Sequence, residues 1–164
     1  MADYIGDLSL GDQELAISVA DLLGKTVEAG GKKYVYLRAG ASITKNTPYS
    51  MQHEGGTGAT TTLSDPCAKA LLNTAVKQLV VVPVFRSIAD NDTGWFQFQG
   101  PCTMTVASAT YTAGRALKVD AGVATEIAAA PTNGDNEFAS IMVGGTTVTS
   151  ITAFLFGREA LTET

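Results

Sequence analysis

Apolar and polar residues alternate along most of this chain with a period of two. In Gly94 to Val119, Phe96 and Phe98 alternate with Gln97 and Gln99. Met104 and Val106 alternate with Thr103 and Thr105 in the same way. Alternation places the apolar set on one face of a strand, so this stretch reads as three short strands joined by tight turns. Tyr34-Val35-Tyr36-Leu37 is apolar at every position, which suits a strand covered on both faces. Leu79 to Ile88 predicts a strand interrupted by Pro83, and therefore an edge or a bulge. Phe138 to Val143 and Thr147 to Phe156 predict a closing hairpin around Gly144-Gly145.

Helical spacing shows at one place. Asp65 and Pro66 form an N-cap and first-turn pair. Ala68, Leu71, Leu72, Ala75 and Val76 follow as a short stripe, predicting one helix near 66–77. Turn chemistry marks Lys45-Asn46, Asp90 to Gly94, Thr112-Ala113-Gly114 and the PTNGDN run at 131–136. Residues 52–64, QHEGGTGATTTLS, predict an exposed loop. Shifting by 68 residues lays Tyr34–Met51 over Cys102–Val119. Ala39, Ala41 and Thr44 match Ala107, Ala109 and Thr112, and Asn46 falls on Gly114. Asn and Gly both tolerate the left-handed backbone of a tight turn. The match reads either as an internal repeat or as two similar hairpins.

The first thirty residues differ from the rest. Leu8, Leu10, Leu15, Ile17, Val19, Leu22 and Leu23 keep neither period. Residues 1–28 hold six acids and a single base, Lys25, while 29–164 hold ten of each, so the whole net charge of −5 sits at this end. The expected organisation is an acidic N-terminal arm over 1–30 and a single β-rich domain over 31–164. The arm reads as a tail that docks on a neighbour, a frayed end or a first edge strand. The fold class is mainly β: a compact β-barrel or β-sandwich with one short helix and an N-terminal arm.

Composition narrows the function more than the fold. Charged residues make up 16 % of the 164, against roughly 25 % in a typical soluble domain. Either part of the surface is buried against other subunits, or this is a monomer rich in small residues. No basic stripe provides a phosphate footprint, so no nucleic-acid partner is expected. The longest apolar run, Leu79 to Phe85, is too short to span a bilayer, and the N-terminus lacks the pattern of a secretory signal. Cys67 and Cys102 fit neither a disulfide framework nor a zinc motif and read as buried thiols.

Candidate chemistry is sparse. His53 is the single histidine, and it lies in the Gly- and Thr-rich loop, a poor place to hold a base in fixed geometry. Asp90-Asn91-Asp92 resembles the start of a calcium loop, but Pro101 stands at the twelfth place where a bidentate Glu is needed. Gly55-Gly56-Thr57-Gly58 lacks the Gly-Lys-Ser/Thr of a phosphate loop. No enzyme, cofactor, metal or small-molecule substrate is expected. Trp95 stands opposite Phe96 and Phe98 and reads as an interface anchor, a residue covered by its own chain, or a sugar-stacking platform.

The segments DTGWFQFQGPCTMTV, TAGRALKVD and YVYLRAGASITKNTPYSM carry a resemblance to small virion structural proteins of tailed bacteriophages, in particular capsid decoration (cement) proteins. It covers roughly residues 33–120, with 138–156 as closing strands. The resemblance implies a β-rich, non-enzymatic protein on the outside of a capsid shell, made in the host cytoplasm. Its implied partners are the major capsid protein and further copies of itself. The expected contact residues are Tyr4, Ile5, Leu8 and Leu10 in the arm and Trp95 in the body. The rival expectation is a carbohydrate- or ligand-binding β module of a phage fibre or host-adhesion protein, with Trp95 as its platform.

Overall fold

The computed structural model describes residues 22–53, 66–69, 79–120, 122–127 and 137–157, together with the backbone of 4–5 and 8–9. Its strands are β1 (Tyr4–Ile5), β2 (Leu8–Ser9), β3 (Thr26–Ala29), β4 (Lys32–Ala39), β5 (Tyr49–His53), β6 (Pro66–Lys69), β7 (Leu79–Val81), β8 (Thr93–Tyr111), β9 (Ala116–Asp120), β10 (Val123–Glu126), β11 (Glu137–Val143) and β12 (Gly145–Phe156). β1 and β2 pair only with each other. The other ten form one sheet in the order β10-β9-β11-β12-β8-β4-β6-β5-β7, with β3 added beside β4. The β4–β6 pair is parallel.

The organising element is β8, at 19 residues. Its first half pairs with β4, from Arg38↔Thr93 to Lys33↔Gln99. Its second half pairs with β12, from Phe156↔Gln99 to Gly145↔Tyr111. Gln99 is thus the point where the strand passes from one partner to the other. Gly100 follows with φ 93°, and a Cβ there would lie 2.9 Å from the Gly31 carbonyl oxygen. Only glycine takes this backbone at such close approach without strain. The chain bends at Gly100 without leaving the strand, and the three short strands expected in Gly94 to Val119 are two, β8 and β9.

Each half of the sheet curls back on β8. Beyond β7, Val82 and Gln97 exchange two backbone hydrogen bonds of 2.8 Å as an isolated bridge. At the other end, the Tyr111 hydroxyl donates to Ala107 O at 2.8 Å and to Ala124 O, in β10, at 3.3 Å. Neither return is a ladder, so the sheet stays open where a closed barrel or a two-sheet sandwich was expected. Two cores result. One lies under the second half of β8 and includes Met104, Leu117, Phe138, Ile141 and Leu155. The other lies under the first half and includes Val35, Leu37, Val81 and Phe96. Buried apolar side chains at this density are the main stabilising term of such a fold.

The other face of β4 carries a third cluster of Tyr34, Tyr36 and Trp95, covered by Leu22, Leu23, Val27, Ala29, Val84 and Phe85. Tyr34 to Leu37 are therefore buried on both faces, as their unbroken apolar pattern predicts. This cluster also moves the boundary of the arm. The Gly24 N–H donates to Tyr36 O at 2.8 Å, and β3 pairs with β4. Thr26–Ala29 belongs to the sheet and Leu22 and Leu23 pack on it, so 22–30 goes with the body and not with the arm.

The predicted helix near 66–77 is corrected at its start. Pro66–Lys69 is a strand hydrogen-bonded between β4 and β5, with Cys67 and Ala68 wholly buried. Pairing on both edges and burial on both faces override the local capping signal. Residues 70–78 lie outside the described set. So do residues 54–64 of the predicted loop, the N-cap residue Asp65 and the turn at 131–136. The closing hairpin appears as β11 and β12. The 68-residue echo keeps its turn chemistry, with Asn46 at φ 61° and Gly114 at φ 84°. It is not a pair of hairpins: β6 lies between β4 and β5, and β12 and β11 lie between β8 and β9.

Candidate functional site: an uncharged sheet face

β8 and β12 contain no charged residue, and β11 contains only Glu137. Their inward positions fill the first core, so their outward positions form a continuous face. The cross-strand register fixes which residues adjoin. Phe154 sits between Pro101 of β8 and Ser140 of β11. Thr152 is level with Thr103, and Ser150 with Thr105. The first charges are met at the border, where Glu137 registers with Lys118 of β9.

A β-bulge adds apolar surface to this face. Pairing runs Ile141↔Ala153 and then Val143↔Thr152, so Met142 and Val143 together oppose one residue. A bulge of this kind breaks the alternation of side chains. Ile141 is buried, and the next two residues are both exposed, Met142 at 49 % and Val143 at 61 %. Phe154 is 39 % exposed. Three large apolar side chains set among Thr and Ser hydroxyls, with charge only at the rim, have the composition of a protein–protein contact surface.

The residues singled out in the sequence fall elsewhere. Trp95 is only 6 % exposed. It packs edge-on against Tyr36, ring centroids 5.1 Å apart, and the Tyr36 hydroxyl meets Thr93 Oγ1 at 2.8 Å. Trp95 is thus covered by its own chain and presents no face to a partner or a sugar. Tyr4, Ile5 and Leu8 have backbone in the β1–β2 pair; their side chains, and Leu10 entirely, lie outside the described residues. His53 ends β5 opposite Pro66, and its side chain is likewise outside the described set. The turn at Asp90 is built by backbone alone: Asn91 adopts φ 64°, its N–H donates to Ala39 O at 2.9 Å, and Asp92 O accepts from the Ala39 N–H at 2.7 Å.

Both cysteines are buried thiols outside any disulfide, as the sequence predicts. Burial pushes the Cys102 thiol up to about 12, with the positive charge of Lys32 opposing the shift. The thiol is held protonated, which makes it a poor nucleophile. Burial first, and then the charge of Glu126, raise Tyr111 as well. Among the described residues, no three His, Cys, Asp or Glu side chains are grouped to hold a metal ion. Sequence reasoning missed Phe154, Met142 and Val143. The charge-free run of β12 was a readable signal, but the bulge that exposes Met142 beside Val143 has no sequence signature.

No family model matches the chain, nor does any curated protein sequence. Among solved structures, the chain is similar to the N base of head fiber gp8.5 of bacteriophage phi29, with a TM-score of 0.51 and 8 % sequence identity. The match covers 77 % of this chain and 95 % of that one. At that identity the likeness is one of fold.

Proposed function

We propose that this chain is a structural protein of a bacteriophage virion that attaches to the outside of the assembled capsid shell and reinforces it. The observation that carries this reading is the shared fold with a phage head-fibre base over nearly the whole of that domain. The uncharged face of β8, β12 and β11 supports it, because it offers apolar anchors without a catalytic set. In this reading the face around Phe154, Met142 and Val143 seats on the major capsid protein. Several copies acting together dissociate slowly even when each contact is modest. The carbohydrate-binding alternative relied on Trp95 as a platform, and that ring is buried.

Co-sedimentation with empty phage shells tests the reading. The wild-type protein should pellet with shells at saturating, countable occupancy. Phe154→Lys places a charge in the centre of the face at an exposed position, so it should leave the fold intact and lower the affinity at least about tenfold, a change of roughly 1.4 kcal/mol. A wild-type protein that stays in the supernatant at every shell concentration overturns the proposal.

A further inference from the structure

A polar cleft of about 290 Å³ opens beside β8, and Lys32, Lys45, Asn46 and Thr103 are among the residues that line it. The turn that carries Lys45 is fixed in place. The Lys45 N–H donates to Ser87 Oγ at 3.0 Å, the Asn46 N–H to Pro83 O at 2.9 Å, and the Thr105 N–H to Asn46 O at 2.7 Å. Lys32 opens β4, and its positive charge acts on the thiol of Cys102, another lining residue. Among the described residues neither lysine is in an ion pair with a carboxylate, and none of those lining the cleft is acidic. Two ammonium groups on one cleft repel each other, and an anion between them relieves that repulsion.

We propose that this cleft receives a carboxylate side chain of the shell protein, as the charged counterpart of the contact made by the uncharged face. The inference rests on the attachment proposed above and adds the chemistry of the partner. Thr103 joins the two sites. It lines the cleft, it is exposed on β8, and it is level with Thr152 of β12. Thr152 and Phe154, two residues apart on one strand, share a face. A partner seated on Phe154 therefore reaches over the lysines at the rim.

Chemistry and charge select a protein carboxylate. An ammonium group donates hydrogen bonds and accepts none, so two of them call for an acceptor that carries negative charge. The phosphates of a nucleic acid would also answer that call. Against them stand the net charge of −5 on the chain, which repels a polyanion, and the lack of a basic stripe to follow a phosphate backbone. The apolar side chains of the adjoining face have no use for such a backbone, whereas a protein surface matches both parts. Charges at the rim of a contact set its register and its rate of formation more than its raw affinity.

Co-sedimentation of the full-length chain with empty shells tests it, at salt from about 0.1 M to about 1 M, where the screening length falls from ~10 Å to ~3 Å. K32Q/K45Q should bind about threefold to tenfold more weakly than wild type at low salt, and most of that difference should vanish at high salt. K25Q/K33Q removes the same charge elsewhere and should bind as wild type does. Carbodiimide treatment of loaded shells, followed by peptide mass mapping, should join Lys32 or Lys45 to an Asp or Glu of the shell protein. Equal binding by wild type and K32Q/K45Q leaves the attachment standing and overturns the role of the cleft. So does an equal loss in K25Q/K33Q, which makes the effect one of net charge, or the absence of those links. Wild-type protein that leaves the shells bare at every salt overturns the attachment and this inference together.

Discussion

Cys102 shows how one buried side chain sets a pH limit on the whole fold. Burial raises its thiol from the ordinary 9.0 to about 12, so the folded chain holds this proton long after the unfolded chain has released it. Between those values the unfolded state binds fewer protons, and stability must fall as pH rises. Below 9 the two states hold the proton equally and the group contributes no slope. Tyr111, also raised, adds to the loss in the same direction. The urea midpoint should stay level in this respect up to pH 9 and drop through pH 10.5. Cys102→Ala should reduce that drop, and an equally steep loss in the variant would show that the thiol is not its source. At this scale much was legible in the sequence. Alternation placed Phe96 and Phe98 in one core, and both cysteines read as buried. Trp95 was correctly set on the opposite face from the phenylalanines. What covers that face, namely Leu22 and Val27 from one segment and Phe85 from another, comes from stretches that no local pattern connects to it.

Among the elements, the β11–β12 hairpin is the most exposed to a single change. A Cβ on Gly144 would stand 2.0 Å from the Tyr111 carbonyl oxygen and 2.8 Å from its carbon. Both atoms are backbone of β8 and cannot rotate away. Gly144→Ala must shift the hairpin off the β8 ladder, at a cost of about 2 kcal/mol or more. Thermal unfolding should show a fall of several degrees, and an unchanged midpoint would mean that the turn relaxes freely. The hairpin itself was readable from two alternating runs around a glycine pair, and so were the two-sided burial of β4 and the edge position of β7. β6 was not. Its residues carry a good helical cap, and its strand form depends on β4 and β5 lying on either side of it. The length of β8 was also hidden. A Gly-Pro pair normally ends a strand, and here the glycine's positive φ lets the strand bend while it changes partners.

For the whole molecule, the division between arm and body governs what can be removed. Deleting residues 2–21 leaves Leu22, Leu23 and β3 in place, so the sheet should keep its circular dichroism and its melting temperature within about 2 °C. Deleting 2–28 strips Leu22, Leu23, Val27 and most of β3 from the aromatic cluster. Trp95, the single tryptophan, should then emit at longer wavelength and the melting temperature should fall by several degrees. Equal behaviour of the two deletions would contradict the boundary drawn here. The mainly β class was legible in the sequence. The open sheet was not, because the order of strands depends on which distant segments pair. The double pairing of β8 also dictates when the protein can fold during synthesis. The first half of β8 finds β4 already made. The second half must wait for β12, which the ribosome delivers some forty residues later. Until residue 156 has emerged, the nascent chain carries a bare strand edge of the kind that recruits other chains. Yield from a host cell should accordingly depend on how fast that final stretch is translated, and slow codons between 112 and 145 should cost more soluble protein than slow codons elsewhere.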